Sequence, residues 1–150
     1  MSTSQLEMLT DLARGARDQA GKVLAQERQT EQQTTAQLQS LLSYRAEYAE
    51  RLQKAMRDGI DPATMYNYQQ FLASLDAALS RARQALASQQ ASVEQSKKNW
   101  QQEQRKLSSY DTLASRRLLE EHRRSERHEQ KTNDDLVTSR AARQHNDTPH

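Results

Sequence analysis

Asp58-Gly59-Ile60-Asp61-Pro62 is the point in this 150-residue chain where the signals that end a helix meet those that start one. Gly59 suits the left-handed conformation that closes a helix, because it has no Cβ to clash. Asp61 is a good N-cap, and Pro62 fits the first helical position, where its missing N–H removes nothing the helix uses. The signals lie within three residues of one another, so the turn is short and the helices on either side are antiparallel neighbours.

On the C-terminal side, Met65, Leu72, Leu79, Leu86, Val93, Trp100, Leu107 and Ala114 recur at intervals of seven. Seven residues are two helical turns, so these side chains share one seam that only another helix can cover. Companion positions run through Tyr68, Leu75 and Ala82, then polar Gln89, Ser96 and Glu103, then Tyr110. On the N-terminal side, Ser4 with Glu7 matches a capping box. Apolar residues there follow a Leu9/Ala16/Val23 register, then a Leu24/Leu38/Leu52 register, which predicts a break in heptad phase. Because the turn centres near residue 60, each residue should face the one equally far beyond it. Glu27 and Glu31 then face Val93 and Gln89, a polar middle in an otherwise apolar seam. The fold class is all-α, an antiparallel two-helix coiled-coil hairpin forming an elongated rod. Its expected parts are a helix over 4–57, a turn over 58–61, a helix over 62–136 and a frayed tail over 137–150. The second helix should overrun the first by some 20 residues.

Composition agrees with a helical rod. Hydrophobic residues are 34% of the chain, charged residues 28%, and the mean hydropathy is −1.11, too polar for a thick core. Ala, Gln, Glu, Arg and Leu dominate, all strong helix formers, which with the periodicity argues against disorder. A net charge of +2 gives no reason to expect nucleic acid. The absence of cysteine excludes disulfides, thiolate metal sites and thiol nucleophiles. The first residues lack a basic stretch followed by an apolar run, and apolar runs stay far below the ~20 residues of a membrane span. A cytoplasmic protein is expected.

No motif supports catalysis, a cofactor or a metal. Gly15 to Val23 resembles a phosphate loop at first sight. It has five residues between its glycines instead of four, Val23 in place of the hydroxyl after Lys22, and no preceding strand. His122 and His128 are six apart and point to different sides of a helix, and His145 and His150 stand in the tail, so no zinc set forms. Glu120-Glu121 and Asp134-Asp135 are adjacent pairs, which do not face one another on a helix.

Two stretches remain as candidate contact surfaces. Tyr44, Tyr48, Tyr66, Tyr68 and Phe71 cluster near the turn. Either they widen the seam, or Phe71 with Ala78 and Ala82 forms a shallow apolar strip open to a partner. Arg116, Arg117, Arg123, Arg124, Arg127 and Lys131 lie among four glutamates where the second helix outruns the first. They form either a solvated face laced with ion pairs or a docking segment.

The same residues carry a resemblance. Ser43-Tyr44-Arg45-Ala46-Glu47-Tyr48, the Gly59 turn, and Tyr68-Gln69-Gln70-Phe71-Leu72-Ala73-Ser74-Leu75-Asp76-Ala77-Ala78-Leu79 resemble the FliJ family of flagellar export proteins, as do Trp100 and the stretch from Glu129 to Arg140. The Tyr-Gln-Gln-Phe block just after a Gly-containing turn is not something a heptad demands. The resemblance implies a non-enzymatic hairpin like the stalk of a rotary ATPase. It would plug into the hexameric export ATPase FliI, contact the export-gate membrane protein FlhA and handle export chaperones. It also implies peripheral association with the inner membrane through that gate, and a gate-binding strip of Tyr44, Tyr48, Phe71, Leu75, Ala78 and Ala82, the last at a position that is larger and polar in some relatives. The arginine-rich end, with Arg116, Arg117, Arg123, Arg124 and Arg127, is then the expected ATPase-binding end. The rival class is a structural or nucleic-acid-binding coiled coil. A basic zipper, however, has its basic region before the heptads and no internal turn.

Overall fold

The computed structural model describes residues 2–146, with side chains through Gln144. Two helices make up the fold, α1 (Thr3–Asp58) and α2 (Pro62–Asn146), and no strand occurs among the described residues. The chain is all-α and its two helices pair as an antiparallel coiled coil. Among the described residues they pack as two compact units, 2–14 with 105–146, and Gly15–Gln104.

The turn follows its residues. Gly59 has φ +96°, the left-handed region, and is the only described residue of positive φ. The Asp61 carboxylate accepts from the Thr64 hydroxyl at 2.5 Å and the Thr64 amide at 3.4 Å, while its carbonyl accepts from Met65 N at 3.1 Å, the first bond of α2. At the other terminus the capping box is Ser2 with Gln5 rather than Ser4 with Glu7. Ser2 Oγ accepts from Gln5 N at 3.2 Å, and Ser2 N donates to Gln5 Oε1 at 3.1 Å. Both Ser-x-x-Gln and Ser-x-x-Glu satisfy the pattern, and the helix takes the earlier one because it adds further hydrogen bonds to α1.

In α2 all eight expected seam positions from Met65 to Ala114 are buried or half-buried. So are the seven companions from Tyr68 to Tyr110, including polar Gln89, Ser96 and Glu103, and the row continues to half-buried Arg117. In α1 the shielded side chains also keep one unbroken heptad. Leu6, Ala13, Ala20, Glu27, Thr34, Leu41, Tyr48 and Ala55 form one row, and Thr10, Arg17, Leu24, Glu31, Leu38, Arg45 and Leu52 the other. The expected phase break therefore does not occur. Ala16 and Val23 are exposed, and the seam runs through Glu27, Glu31 and Thr34, so following apolar residues alone jumps to the wrong face.

Within the unit Gly15–Gln104, residues equidistant from the turn meet as expected. The Trp100 indole lies 3.4 Å from where a Cβ on Gly21 would stand, and Arg17 Nη1 donates to Gln104 Oε1 at 3.5 Å. Arg45, in the seam row, binds both carboxylate oxygens of Asp76 across the pair, with Nη2 at 3.2 Å. Within the other unit, α1 ends its cover of α2 near Arg117, and every described side chain from Leu118 to Gln144 is exposed. The helix does not stop at 136. Arg140, Ala141, Ala142 and Arg143 are strong helix formers with no breaker among them, and α2 reaches Asn146. The rest of the expected tail, with Pro149 and His150, lies outside the described residues, as does the side chain of His145.

Candidate interaction surfaces

The unit Gly15–Gln104 holds the aromatic cluster beside the turn. Tyr48 is its centre, with ring centroids 4.3 Å from Phe71, 5.1 Å from Tyr44 and 6.2 Å from Tyr68. Tyr44 and Phe71 meet edge-on at 6.0 Å, and the Arg51 guanidinium lies 5.2 Å from the Tyr48 ring centre. Tilted and edge-on arrangements match the aromatic quadrupole and add to plain burial. The Tyr48 hydroxyl beside Tyr44 holds the Tyr44 phenol above its ordinary value, through their hydrogen bond and mutual repulsion of the ionised forms.

Burial divides the strip residues. Leu75 is 7% exposed and belongs to the seam; Ala82 is half-buried in the same row. Tyr48, Phe71 and Ala78 are half-buried, Phe71 and Ala78 lying one step outside the seam rows. Tyr44 is 45% exposed and is the large aromatic of this group that water reaches most. The structure therefore brings Tyr44, Tyr48 and Phe71 into one cluster. Sequence spacing alone did not separate the cluster from the seam, because one residue step, about 100° of rotation, decides whether a side chain faces in or sideways.

The other unit holds the arginines. Arg116 is exposed, while Arg117 occupies a seam row and lines an open cleft of about 380 Å³ with Leu6, Thr10 and Ala114. Its Nη1 is buried without a hydrogen-bond partner. Arg123, Arg124 and Arg127 are exposed. None of these five makes an ion pair with a described residue, so the lacing of ion pairs expected of a solvated helix is missing on that side. His122 instead pairs with Glu126 at 3.0 Å. No group of three or more His, Cys, Asp or Glu among the described residues is placed to hold a metal. No described helix is long and apolar enough to cross a membrane.

An exposed aromatic edge on one helix pair and unpaired arginines on an uncovered helix give this coiled-coil protein two candidate contact surfaces. The comparisons give that class its family. The model described as "Flagellar FliJ protein" matches residues 1–146. The flagellar FliJ protein of Salmonella typhi is 32% identical over 138 residues, covering 92% of this chain and 94% of its own length. That of Escherichia coli K12 is 33% identical over 122 residues, covering 79% and 83%. The chain belongs to the flagellar FliJ protein family. Among solved structures, a protein described as a YscO homologue, CT670 from Chlamydia trachomatis, is similar in fold alone. Its TM-score is 0.67 over 97% of this chain and 94% of that one, at 12% identity.

Proposed function

We propose that this chain is a non-enzymatic component of the flagellar protein export apparatus. In this reading it couples the export ATPase ring FliI to the export gate FlhA, assists export chaperones, and works in the cytoplasm while peripherally attached to the inner membrane through the gate. The observation that carries the reading is the uncovered stretch of α2 in a FliJ-family chain. From Leu118 to Gln144 every described side chain is exposed, and Arg123, Arg124 and Arg127 form no ion pair with a described residue. Planar guanidinium groups grip carboxylates with two parallel bonds, which suits them to a protein ring. The aromatic cluster supplies a second, apolar contact for the gate. Open clefts lined by scattered charges fit a role carried by surfaces.

Each exposed ion pair is worth about 0–1 kcal/mol, so several arginines must act together and single changes will be close to silent. Truncation after Ser115, or the triple change Arg123→Glu, Arg124→Glu and Arg127→Glu, should abolish binding to the purified ATPase and stimulation of its hydrolysis. The melting of Gly15–Gln104 should stay as it is. A truncated chain that stimulates the ATPase fully would overturn this assignment and move the docking site to the turn.

A further inference from the structure

We infer that the uncovered stretch of α2 docks by one face only, and that this face fits a compact cluster of carboxylates on a partner protein. The inference rests on the docking role proposed above and assigns it a side. At about 100° per residue, Arg123, Arg124, Arg127 and Lys131 fall within one arc of about 100°. Glu126 and Glu129 fall outside this arc, together with His122, whose Nε2 pairs with Glu126 at 3.0 Å. All of these residues are exposed.

This sorting opposes the helix's own stability around Arg127, whose charged neighbours one turn away on either side are all cations. Arg123 and Arg127, and Arg127 and Lys131, are i, i+4 neighbours, and Arg124 and Arg127 are i, i+3 neighbours. Like charges at these spacings repel and weaken a helix. Exchanging Arg127 with Glu126 would place a carboxylate among the three remaining cations, yet the chain keeps four cations together with no described ion pair among them. A counter-charge from outside the chain removes the repulsion.

The borders of the patch identify the kind of partner. Glu120 and Glu121 close it on one side, Asp134 and Asp135 on the other, leaving about three turns of basic surface. A nucleic-acid backbone or an anionic bilayer extends past such a window and meets carboxylate at both edges. A local carboxylate cluster on a protein does not. A second copy of α2 laid antiparallel across the patch would set Glu120 and Glu121 against Asp134 and Asp135, acid against acid.

The test compares two double variants of the full chain, Arg123→Glu with Arg127→Glu and Glu126→Lys with Glu129→Lys, with circular dichroism confirming equal helicity. Binding to the purified export ATPase should weaken tenfold or more for the first pair and change less than twofold for the second. Equal losses, or no loss in either, overturn the one-sided face. If the wild-type chain does not bind the ATPase, the docking role falls. The face is then decided by complementation of motility in a strain lacking the chain: loss with the first pair alone upholds it, and equal outcomes overturn it. Tighter binding of the wild-type chain to a 30-base-pair DNA duplex or to phosphatidylglycerol vesicles than to the ATPase, lost in the first pair, overturns the protein partner.

Discussion

Glycine shows at single-residue scale how the same side chain serves opposite ends. A Cβ on Gly15 would meet nothing within 4 Å, and the residue sits in regular helix. Gly15→Ala should therefore stabilise the chain by up to about 1 kcal/mol through helix propensity alone. Gly59 holds φ +96°, so Gly59→Ala should cost about 1 kcal/mol or more although space is open there too. Urea midpoints that move in opposite directions for the two variants are expected; a shared direction contradicts this account of the turn. Two carboxylates set the acid limit. Bonds from Thr64, its hydroxyl first, hold Asp61 below the ordinary carboxylate value, and the Arg45 guanidinium does the same for Asp76. A carboxylate whose pKa is lower folded than unfolded stabilises the fold above its unfolded pKa, and that stabilisation is lost as pH falls through the folded value. Stability should be level near neutrality and decline below about pH 4, and Asp76→Asn should flatten part of that decline. An urea midpoint that rises on acidification contradicts the assignment.

The helices themselves differ in strength along their length. Near the turn, Leu75 and Leu79 are buried and the aromatic rings stack across the pair. Midway through Gly15–Gln104 the seam holds Glu27, Glu31 and Thr34 on α1 and Gln89 and Ser96 on α2, with Gln89 Oε1 buried and unpartnered. A buried acceptor without a donor costs the desolvation it never recovers. Amides of 27–35 and 86–96 should exchange with deuterium roughly tenfold faster than those of 38–52 and 68–82, since little apolar burial opposes local opening. Gln89→Leu should slow that exchange; uniform protection along α1 contradicts the view of a weak middle. The same polar seam explains what the sequence did and did not disclose. The turn, both helices and all eight heptad positions of α2 were legible, because Gly59, Asp61, Pro62 and an apolar repeat announce them. The register of α1 was not, because half of its middle seam is carboxylate and hydroxyl while Leu12, Ala16 and Val23 are apolar and exposed. The capping box shifted for a simpler reason, that Ser2 and Ser4 both have a suitable partner three residues on.

At the scale of the whole molecule, one chain carries an aromatic surface in one unit and an arginine surface in the other. Membership of the flagellar FliJ family gives these surfaces a setting. Legibility here was uneven. The arginines were visible as a run, but only the structure shows that their side of α2 lacks ion pairs and that the helix continues to Asn146. The aromatics were visible as a cluster, but Leu75 and Ala82 turn inward, which leaves Tyr44 as the exposed ring of the expected strip, through which a gate contact can be tested with least damage to packing. The central claim is that a single chain joins two partners. It is tested most directly by immobilising the cytoplasmic domain of the gate protein, adding the chain, and then measuring capture of the export ATPase by interferometry. Capture of the ATPase is expected with the full chain. It should disappear on truncation after Ser115, with gate binding retained, and on Tyr44→Ala, with ATPase binding in solution retained. ATPase captured equally well without the chain, or with both variants present in place of it, would contradict the claim.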